Sequence, residues 1–359
     1  MERKITKRIR IGNTGIGGGS PILVQSMTNR SPEDFPGTAD QILSLEKAGC
    51  DIVRISTPTP ESTGIFRYAR ERGVKIPLVA DIHFDYRIAL EAVKAGADKI
   101  RINPGNIGEN WKIREVAECC KASGVPVRIG VNGGSLKKSL LEKYGRPCGE
   151  AIAESALEEA GMLEDCGFSD IVISVKSSTV EENILAARAV SARCDYPLHI
   201  GVTEAGDGYS GLIKNSIGIG SLLNDGIGDT IRVSLSADPL EEVKAGREIL
   251  RAFCMDTKGG VEIISCPTCG RTKVDLFPIL KRFREQADLI DTGGRTLKVA
   301  VMGCVVNGIG EAHEADFGIA GGDGCFSYFE GGVPRRRLSE EEAVPFLIGR
   351  IREELESHA

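Results

Sequence analysis

Three cysteines near the C-terminus have the spacing of metal ligands. Cys266 and Cys269 lie in Ser265-Cys266-Pro267-Thr268-Cys269-Gly270-Arg271, and Cys304 in Met302-Gly303-Cys304-Val305-Val306-Asn307-Gly308-Ile309-Gly310-Glu311. Two thiols at the first spacing grip one metal centre, and a third from a neighbouring strand end completes a three-point clamp. A structural zinc ribbon brings a second cysteine pair, and here the second stretch offers Cys304 alone. Cys325 is the other thiol nearby; it follows Gly321-Gly322-Asp323-Gly324 and opens an apolar run, so it reads as a packing residue. Three thiolates on an iron–sulfur cluster leave one iron free to take and exchange an oxygen ligand. Glu311, seven residues past Cys304, is a candidate for it. The pattern favours a cluster and leaves zinc open.

A second constellation is cationic. Arg54, Arg101, Arg128 and Arg232 each stand between two aliphatic residues, as in Val53-Arg54-Ile55 and Val127-Arg128-Ile129. Side chains alternate along a strand, so aliphatic neighbours facing one way turn each arginine the other way, into an enclosed interior. Several guanidiniums in one mouth are costly to desolvate unless anions meet them. Asp81 and Glu204 are expected to neutralise two, while Lys176 and Lys214 add positive charge near the same rim. The surplus implies a polyanionic small ligand, and bidentate guanidinium contacts suit phosphate; structural ion pairs are the alternative. Glu204, in Val202-Thr203-Glu204-Ala205-Gly206, is a candidate proton donor or acceptor, with a solvated loop carboxylate as its plain alternative. His83 and His199 each read equally well as core or catalytic residues.

Elements that would position these residues alternate regularly. Apolar strand candidates cover 22–27, 52–56, 78–82, 99–103, 125–132, 170–176, 198–203 and 230–236, with helical periodicity at 39–48, 87–95, 111–123, 151–166, 181–193 and 239–253. Eight strand–helix units are the count that closes a parallel barrel, so an α/β fold with an N-terminal (β/α)8 TIM barrel is expected, with the arginines at the catalytic, C-terminal ends of its strands. A strand over 5–11 and a glycine turn at 15–19 precede it. The barrel is assigned to residues 1–254 and a small α/β iron–sulfur domain to 255–359. In the latter, strands are expected at 261–264, 297–302, 317–320 and 326–328, and helices at 277–286 and after a Ser339–Glu342 capping box.

Composition sets the outer limits. At 359 residues, 41% hydrophobic and 27% charged, the chain is an ordinary globular protein. A formal charge of −6 argues against a general nucleic-acid or membrane-surface binder, and no apolar stretch is long enough to span a bilayer. The charged start Met1-Glu2-Arg3-Lys4 lacks a signal-peptide core, which makes the cytoplasm the expected compartment. Of eleven cysteines, the seven in the first 255 residues lack ligand spacing and read as small buried hydrophobes.

With both halves in view, the chain resembles the bacterial 4-hydroxy-3-methylbut-2-enyl diphosphate synthases of the non-mevalonate isoprenoid pathway, in their two-domain form. The resemblance runs nearly end to end and rests on Val24-Gln25-Ser26-Met27-Thr28, Ile102-Asn103-Pro104-Gly105-Asn106, Arg128-Ile129-Gly130-Val131-Asn132, Gly201-Val202-Thr203-Glu204-Ala205-Gly206, Ile264-Ser265-Cys266-Pro267-Thr268-Cys269 and Gly303-Cys304-Val305-Val306-Asn307-Gly308. It implies a [4Fe–4S] cluster on Cys266, Cys269 and Cys304, with Glu311 as the fourth ligand. It also implies a pocket for 2-C-methyl-D-erythritol 2,4-cyclodiphosphate built from Arg54, Arg101, Arg128 and Lys214. The implied reaction is reductive ring opening and dehydration to (E)-4-hydroxy-3-methylbut-2-enyl diphosphate, with flavodoxin or ferredoxin as electron donor. The implied assembly is a homodimer in which one subunit's cluster domain closes over the other's barrel. For that reaction Asp81, Asn103, Asn132 and Arg232 join the substrate-binding set. Glu204 becomes the candidate proton donor to the departing hydroxyl, and Asn307 would orient oxygen near the iron. The family commonly carries Asn-Gly-Pro-Gly-Glu where this chain has Asn307-Gly308-Ile309-Gly310-Glu311, so a stiffening proline is replaced by Ile309. Two rival readings are a pterin-dependent methyltransferase barrel, which leaves the cysteines unexplained, and a zinc-stapled binding module, which leaves the cationic mouth unexplained.

Overall fold

In the computed structural model, which describes residues 2–305, 310 and 312–357, the N-terminal isoleucines form a plug. Strands β1 (Ile9–Ile11) and β2 (Thr14–Ile16) pair as an antiparallel hairpin, so the expected strand over 5–11 survives only in its last three residues. Ile9, Ile11 and Ile16 are buried against Leu23, Ile52, Val79 and Val172, which lie in the first turns of four barrel strands. The hairpin therefore seals the N-terminal end of the barrel with apolar surface.

Eight parallel strands follow: β3 (Leu23–Met27), β4 (Ile52–Ser56), β5 (Leu78–Asp81), β6 (Lys99–Ile102), β7 (Val127–Asn132), β8 (Ile171–Lys176), β9 (His199–Ile200) and β10 (Thr230–Ile231). Their order is β8-β7-β6-β5-β4-β3-β10-β9, and the bridge Ile173↔Leu198 joins β8 to β9 and closes the ring. Along β7, Val127, Ile129 and Val131 join the core under the helices, while Arg128, Gly130 and Asn132 face inward onto the cavity described below. The helices are α1 (Phe35–Lys47), α2 (Gly64–Glu71), α3 (Tyr86–Lys94), α4 (Pro104–Ile107), α5 (Asn110–Ser123), α6 (Lys138–Tyr144), α7 (Gly149–Glu164), α8 (Val180–Arg193), α9 (Gly208–Asn224) and α10 (Pro239–Ala252). Aspartates start four of them: Asp34, Asp85, Asp207 and Asp238 each accept from a backbone N–H of the first turn. Helix α9 escaped the sequence reading because glycine weakens its helical signal. Those glycines serve packing, since a Cβ on Gly218 would stand 2.6 Å from Val202.

The chain divides into two compact units, Met1–Asp256 and Thr257–Ala359. In the second, β11 (Gly260–Ser265), α11 (Leu276–Ala287), β12 (Thr296–Met302), β13 (Phe317–Gly322), β14 (Cys325–Glu330), β15 (Val333–Leu338) and α12 (Glu340–Glu356) build a five-stranded sheet ordered as in the chain. β11, β12 and β13 run parallel, and β14 and β15 return antiparallel. Ile279 and Phe283 of α11 and Leu347 and Ile351 of α12 bury one face against Val299, Val301, Ile319 and Phe326. Helix α12 starts with the expected box, Ser339 Oγ accepting from Glu342 N and Glu342 Oε2 from Ser339 N. β15 was not expected: Val-Pro-Arg-Arg-Arg-Leu neither alternates nor is apolar, because an edge strand is blunted by proline and charge. Among the described residues no helix is long and apolar enough to cross a membrane.

Candidate active site

At the C-terminal ends of the barrel strands a cavity of about 170 Å³ is lined by Arg54, Asp81, His83, Arg101, Arg128, Gly130, Val131, Asn132, Ser174, Lys176, Thr203, Arg232 and Ser234. The period of two brings all four strand arginines into it. Asp81 sits among them: Arg101 Nη1 donates to its Oδ1 at 3.1 Å, Arg54 Nε lies 3.7 Å from Oδ2 and His83 Nε2 3.9 Å from the same oxygen. Burial alone would raise the Asp81 carboxyl, but Arg54 and Arg101 outweigh it and hold the group below the usual carboxylate range. The second counter-charge is Glu242 on α10, not Glu204 as expected: Arg232 donates to both its carboxylate oxygens at 3.3 Å. A helix residue ten positions past Arg232 was invisible to a reading that scanned strand ends. The sulfur of Met27 fills the gap between Arg54 Nη2, at 2.9 Å, and Arg232 Nη1, at 3.6 Å.

Five cationic side chains thus face two carboxylates. Arg128 is only 1% exposed, and its Nε and Nη1 have no protein partner. Burial first, then Arg54 and Arg101, pushes Arg128 well below its ordinary value, and burial with Arg232 and Arg128 does the same to Lys176. Burial lowers Arg54 to about 10. Burial is the first cause of each shift and the neighbouring cations add to it, so the site carries the cost of holding positive charge out of water. A bound polyanion would relieve it. Below lies a buried polar layer in which His199 Nδ1 meets Thr230 Oγ1 at 2.8 Å, so His199 belongs to the barrel core. Lys99 Nζ in that layer has no protein partner, and burial, then Arg128, depresses it strongly.

Gly130 is what lets Arg101 lie flat in the mouth. A Cβ there would stand 2.6 Å from Arg101 Nε and 2.9 Å from Nη2. Asn132 lines the cavity; Asn103, the residue after β6, is buried and is not among the lining residues. Lys176, noted near the rim but outside the binding set, lines the cavity; Lys214, placed in that set, is half-buried on α9 and does not line it. Glu204 is exposed on the loop after β9, outside the lining, and its φ of 52° puts a non-glycine residue in the left-handed region. Backbone in that region is sustained only by its surroundings and concentrates at functional loops. Ser174, within β8, and Ser234, three residues past β10, were missed; as small polar residues they carry no sequence signal.

In the second unit the cysteines share one edge of the sheet. Cys266 follows β11 directly and Cys304 follows β12 by two residues, on adjacent parallel strands in register at Ser265↔Val301. Gly303 N donates to Cys266 Sγ at 3.3 Å, the kind of N–H···S bond that tunes a metal-bound thiolate. Between the cysteine pair Thr268 has φ 65°, and the turn closes with Cys269 N donating to Thr272 Oγ1 at 3.0 Å. Lys273 N then donates to Gly303 O at 3.1 Å and ties this loop to the Cys304 strand end. Cys325 opens β14 at the same edge, opposite Gly322. Among the described residues no three His, Cys, Asp or Glu side chains stand close enough to hold a metal ion. The fit to a cluster therefore rests on the donor set and on the strand ends that carry it. Asn307, Ile309 and Glu311 lie outside the described residues.

Comparison with known proteins gives two family matches, the GcpE TIM-barrel domain over residues 6–247 and the GcpE protein C-terminal domain over residues 262–353. The chain is 53% identical over 348 residues to the 4-hydroxy-3-methylbut-2-en-1-yl diphosphate synthase (flavodoxin) of Symbiobacterium thermophilum, covering 97% of this chain and 93% of that one. It is 51% identical over 352 residues to the Clostridium tetani protein of the same name, covering 98% and 99%. Among solved structures it is similar to dihydropteroate synthases of Xanthomonas albilineans and Thermus thermophilus, each with a TM-score of 0.50, 13% identity and 69% of this chain covered, and with 97% and 98% of those chains covered. At that identity the likeness shows the barrel fold alone.

Proposed function

The chain belongs to the GcpE family, and from that membership we infer its activity: it makes 4-hydroxy-3-methylbut-2-en-1-yl diphosphate, as an oxidoreductase of isoprenoid biosynthesis. The substrate we assign is 2-C-methyl-D-erythritol 2,4-cyclodiphosphate. Near neutral pH the cyclic dianion takes up two electrons and one proton and yields the trianionic product and one water. The product therefore carries one more negative charge than the substrate. The single observation that carries this reading is the cavity with Arg54, Arg101, Arg128, Lys176 and Arg232 against Asp81 and Glu242.

That charge balance suits the chemistry. As the ring C–O bond opens, negative charge grows on the departing phosphate oxygen, and under-compensated guanidiniums favour that state over the ground state. Arg101 and Arg54 are braced by Asp81, and Arg232 by Glu242, so they keep their places as the charge shifts. Asn132 and Asn103 complete the substrate-binding set, and Glu204 is assigned as proton donor to the departing hydroxyl. A [4Fe–4S] cluster on Cys266, Cys269 and Cys304, with Glu311 proposed as fourth ligand and Asn307 beside it, would supply the two electrons singly. Flavodoxin, which the relatives' names carry, is the proposed donor. We also propose a homodimer working in the cytoplasm; a reducing compartment suits eleven cysteines with no disulfide among the described residues.

The test is anaerobic purification and turnover. The expected protein is brown, carries about four irons per chain and converts the cyclic diphosphate with reduced flavodoxin. Colourless protein with one zinc, unable to turn over, would overturn the reading. Glu204→Gln should lower kcat much more than affinity; equal loss of both removes Glu204 as the proton donor.

A further inference from the structure

Behind Arg101 lies a buried carboxyl that the proposed chemistry does not use. Glu159, on α7, is 1% exposed and Asn103, the residue after β6, is 2% exposed. Glu159 Oε2 and Asn103 Oδ1 both lack a protein partner, and Ser155 Oγ reaches Glu159 Oε1 only at 3.5 Å. A Cβ built on Gly105 would stand 3.1 Å from Asn103 Oδ1 and 3.2 Å from Glu159 Oε1, so both side chains pack over Gly105. A carboxylate buried this fully, with one oxygen unpartnered and the other reached only by a long hydroxyl contact, is unfavourable unless it carries a proton, and the acid can then donate to Asn103 Oδ1.

We propose that Glu159 is a positioning residue of the substrate cavity: as an un-ionised acid it clamps the Asn103–Gly105 turn and leaves Arg101 to the phosphates. The turn is the direct continuation of the strand that carries Arg101. Asn103 O accepts from the backbone N–H groups of Asn106, at 2.9 Å, and Ile107, at 3.2 Å, so fixing Asn103 fixes the whole strand-end turn. The charged groups facing Glu159 are Arg101 from β6, Lys137 from the segment before α6, and Glu158 from its own helix; Lys137 is already paired to Glu158 at 2.9 Å. Burial dominates this field and pushes the Glu159 carboxyl up to about 7, against the pull of Lys137, Ser155 and Arg101. Once ionised, Glu159 can no longer donate to Asn103 Oδ1 and competes with the ligand for Arg101.

This inference rests on the cyclic diphosphate reading, and calorimetric binding of that compound between pH 6 and 8.5 separates the two. The ligand's phosphodiester-like groups stay ionised throughout, so the profile belongs to the protein. His83 and Lys176 are common to wild type and variant, so the difference between them isolates Glu159. The wild-type dissociation constant should rise about tenfold across the range, the loss of one charge-assisted contact. Glu159→Gln keeps a donor that cannot ionise and should bind with acid-limb affinity at every pH. Glu159→Leu, checked for folding by thermal melting, should bind weakly at every pH. Superimposable profiles for wild type and Glu159→Gln would overturn the positioning role. Absence of binding by wild type would instead overturn the substrate assignment.

Discussion

Adding one methyl group at Gly130 should disarm the cavity without touching any charge. The new Cβ of Gly130→Ala would stand 2.6 Å from Arg101 Nε, 2.9 Å from Nη2 and 3.1 Å from Cζ, inside any tolerable contact. Arg101 is the more mobile partner, but it is held by Asp81 Oδ1 at 3.1 Å and by Gly130 O at 3.3 Å. Moving it forfeits both bonds and shifts the guanidinium from the place in the cavity where a phosphate contact is proposed. A hydrogen bond to a charged group contributes about 1.5–3 kcal/mol, so losing one phosphate contact weakens binding roughly ten- to hundredfold. Overpacking adds about 1–3 kcal/mol of destabilisation, a fall of several degrees in Tm for a unit of this size. Gly161→Ala is the control: it lies on α7 with nothing within 4 Å of its Cβ, and removing a helical glycine should stabilise by up to about 1 kcal/mol. Titration calorimetry with the cyclic diphosphate and scanning calorimetry on both variants are the assays. Gly130→Ala protein that binds within twofold of wild type would refute the account of how Arg101 is seated.

Two more outcomes follow from groups away from the ligand. Lys99 is fully buried without a protein partner and held well below its usual 10.5. Between the folded and unfolded values the unfolded chain binds more protons, so this residue makes stability rise with pH up to about 10.4. Lys99→Met should therefore melt higher than wild type at pH 7 and show a shallower rise towards pH 10; a lower Tm at pH 7 would mean that the ammonium has a counter-ion. Burial raises Cys50 and Cys120 to about 12, whereas Cys254 and Cys269 are exposed. Alkylation of cluster-free protein at pH 8 followed by mass spectrometry should mark Cys254 and Cys269 and spare Cys50 and Cys120. Loading iron and sulfide should then protect Cys269 but not Cys254; equal labelling of both after loading would remove Cys269 from the ligand set.

The exposure of Cys254 shows where residue type misleads. It was read with six other cysteines as a buried hydrophobe, yet it ends α10 at φ 55° and faces solvent. The arginines were legible for a better reason. An aliphatic–arginine–aliphatic triplet has a period of two, and in a closed parallel barrel that period has one outcome, so Arg54, Arg101, Arg128 and Arg232 meet in one mouth. The capping box at Ser339 was equally plain, because its partners are three residues apart.

Local patterns thus determined the barrel, the cationic mouth and the thiols at strand ends, since each depends on residues close in sequence whose geometry a strand or helix imposes. Tertiary structure decided the rest, because it depends on which distant residues meet. Glu242 rather than Glu204 balances Arg232, Lys176 rather than Lys214 lines the cavity, Gly130 makes room for Arg101 one strand away, and Glu159 reaches the turn at Gly105 from another helix. Those contacts follow from how strands shear and helices settle around a closed ring, and no single strand or helix contains both partners.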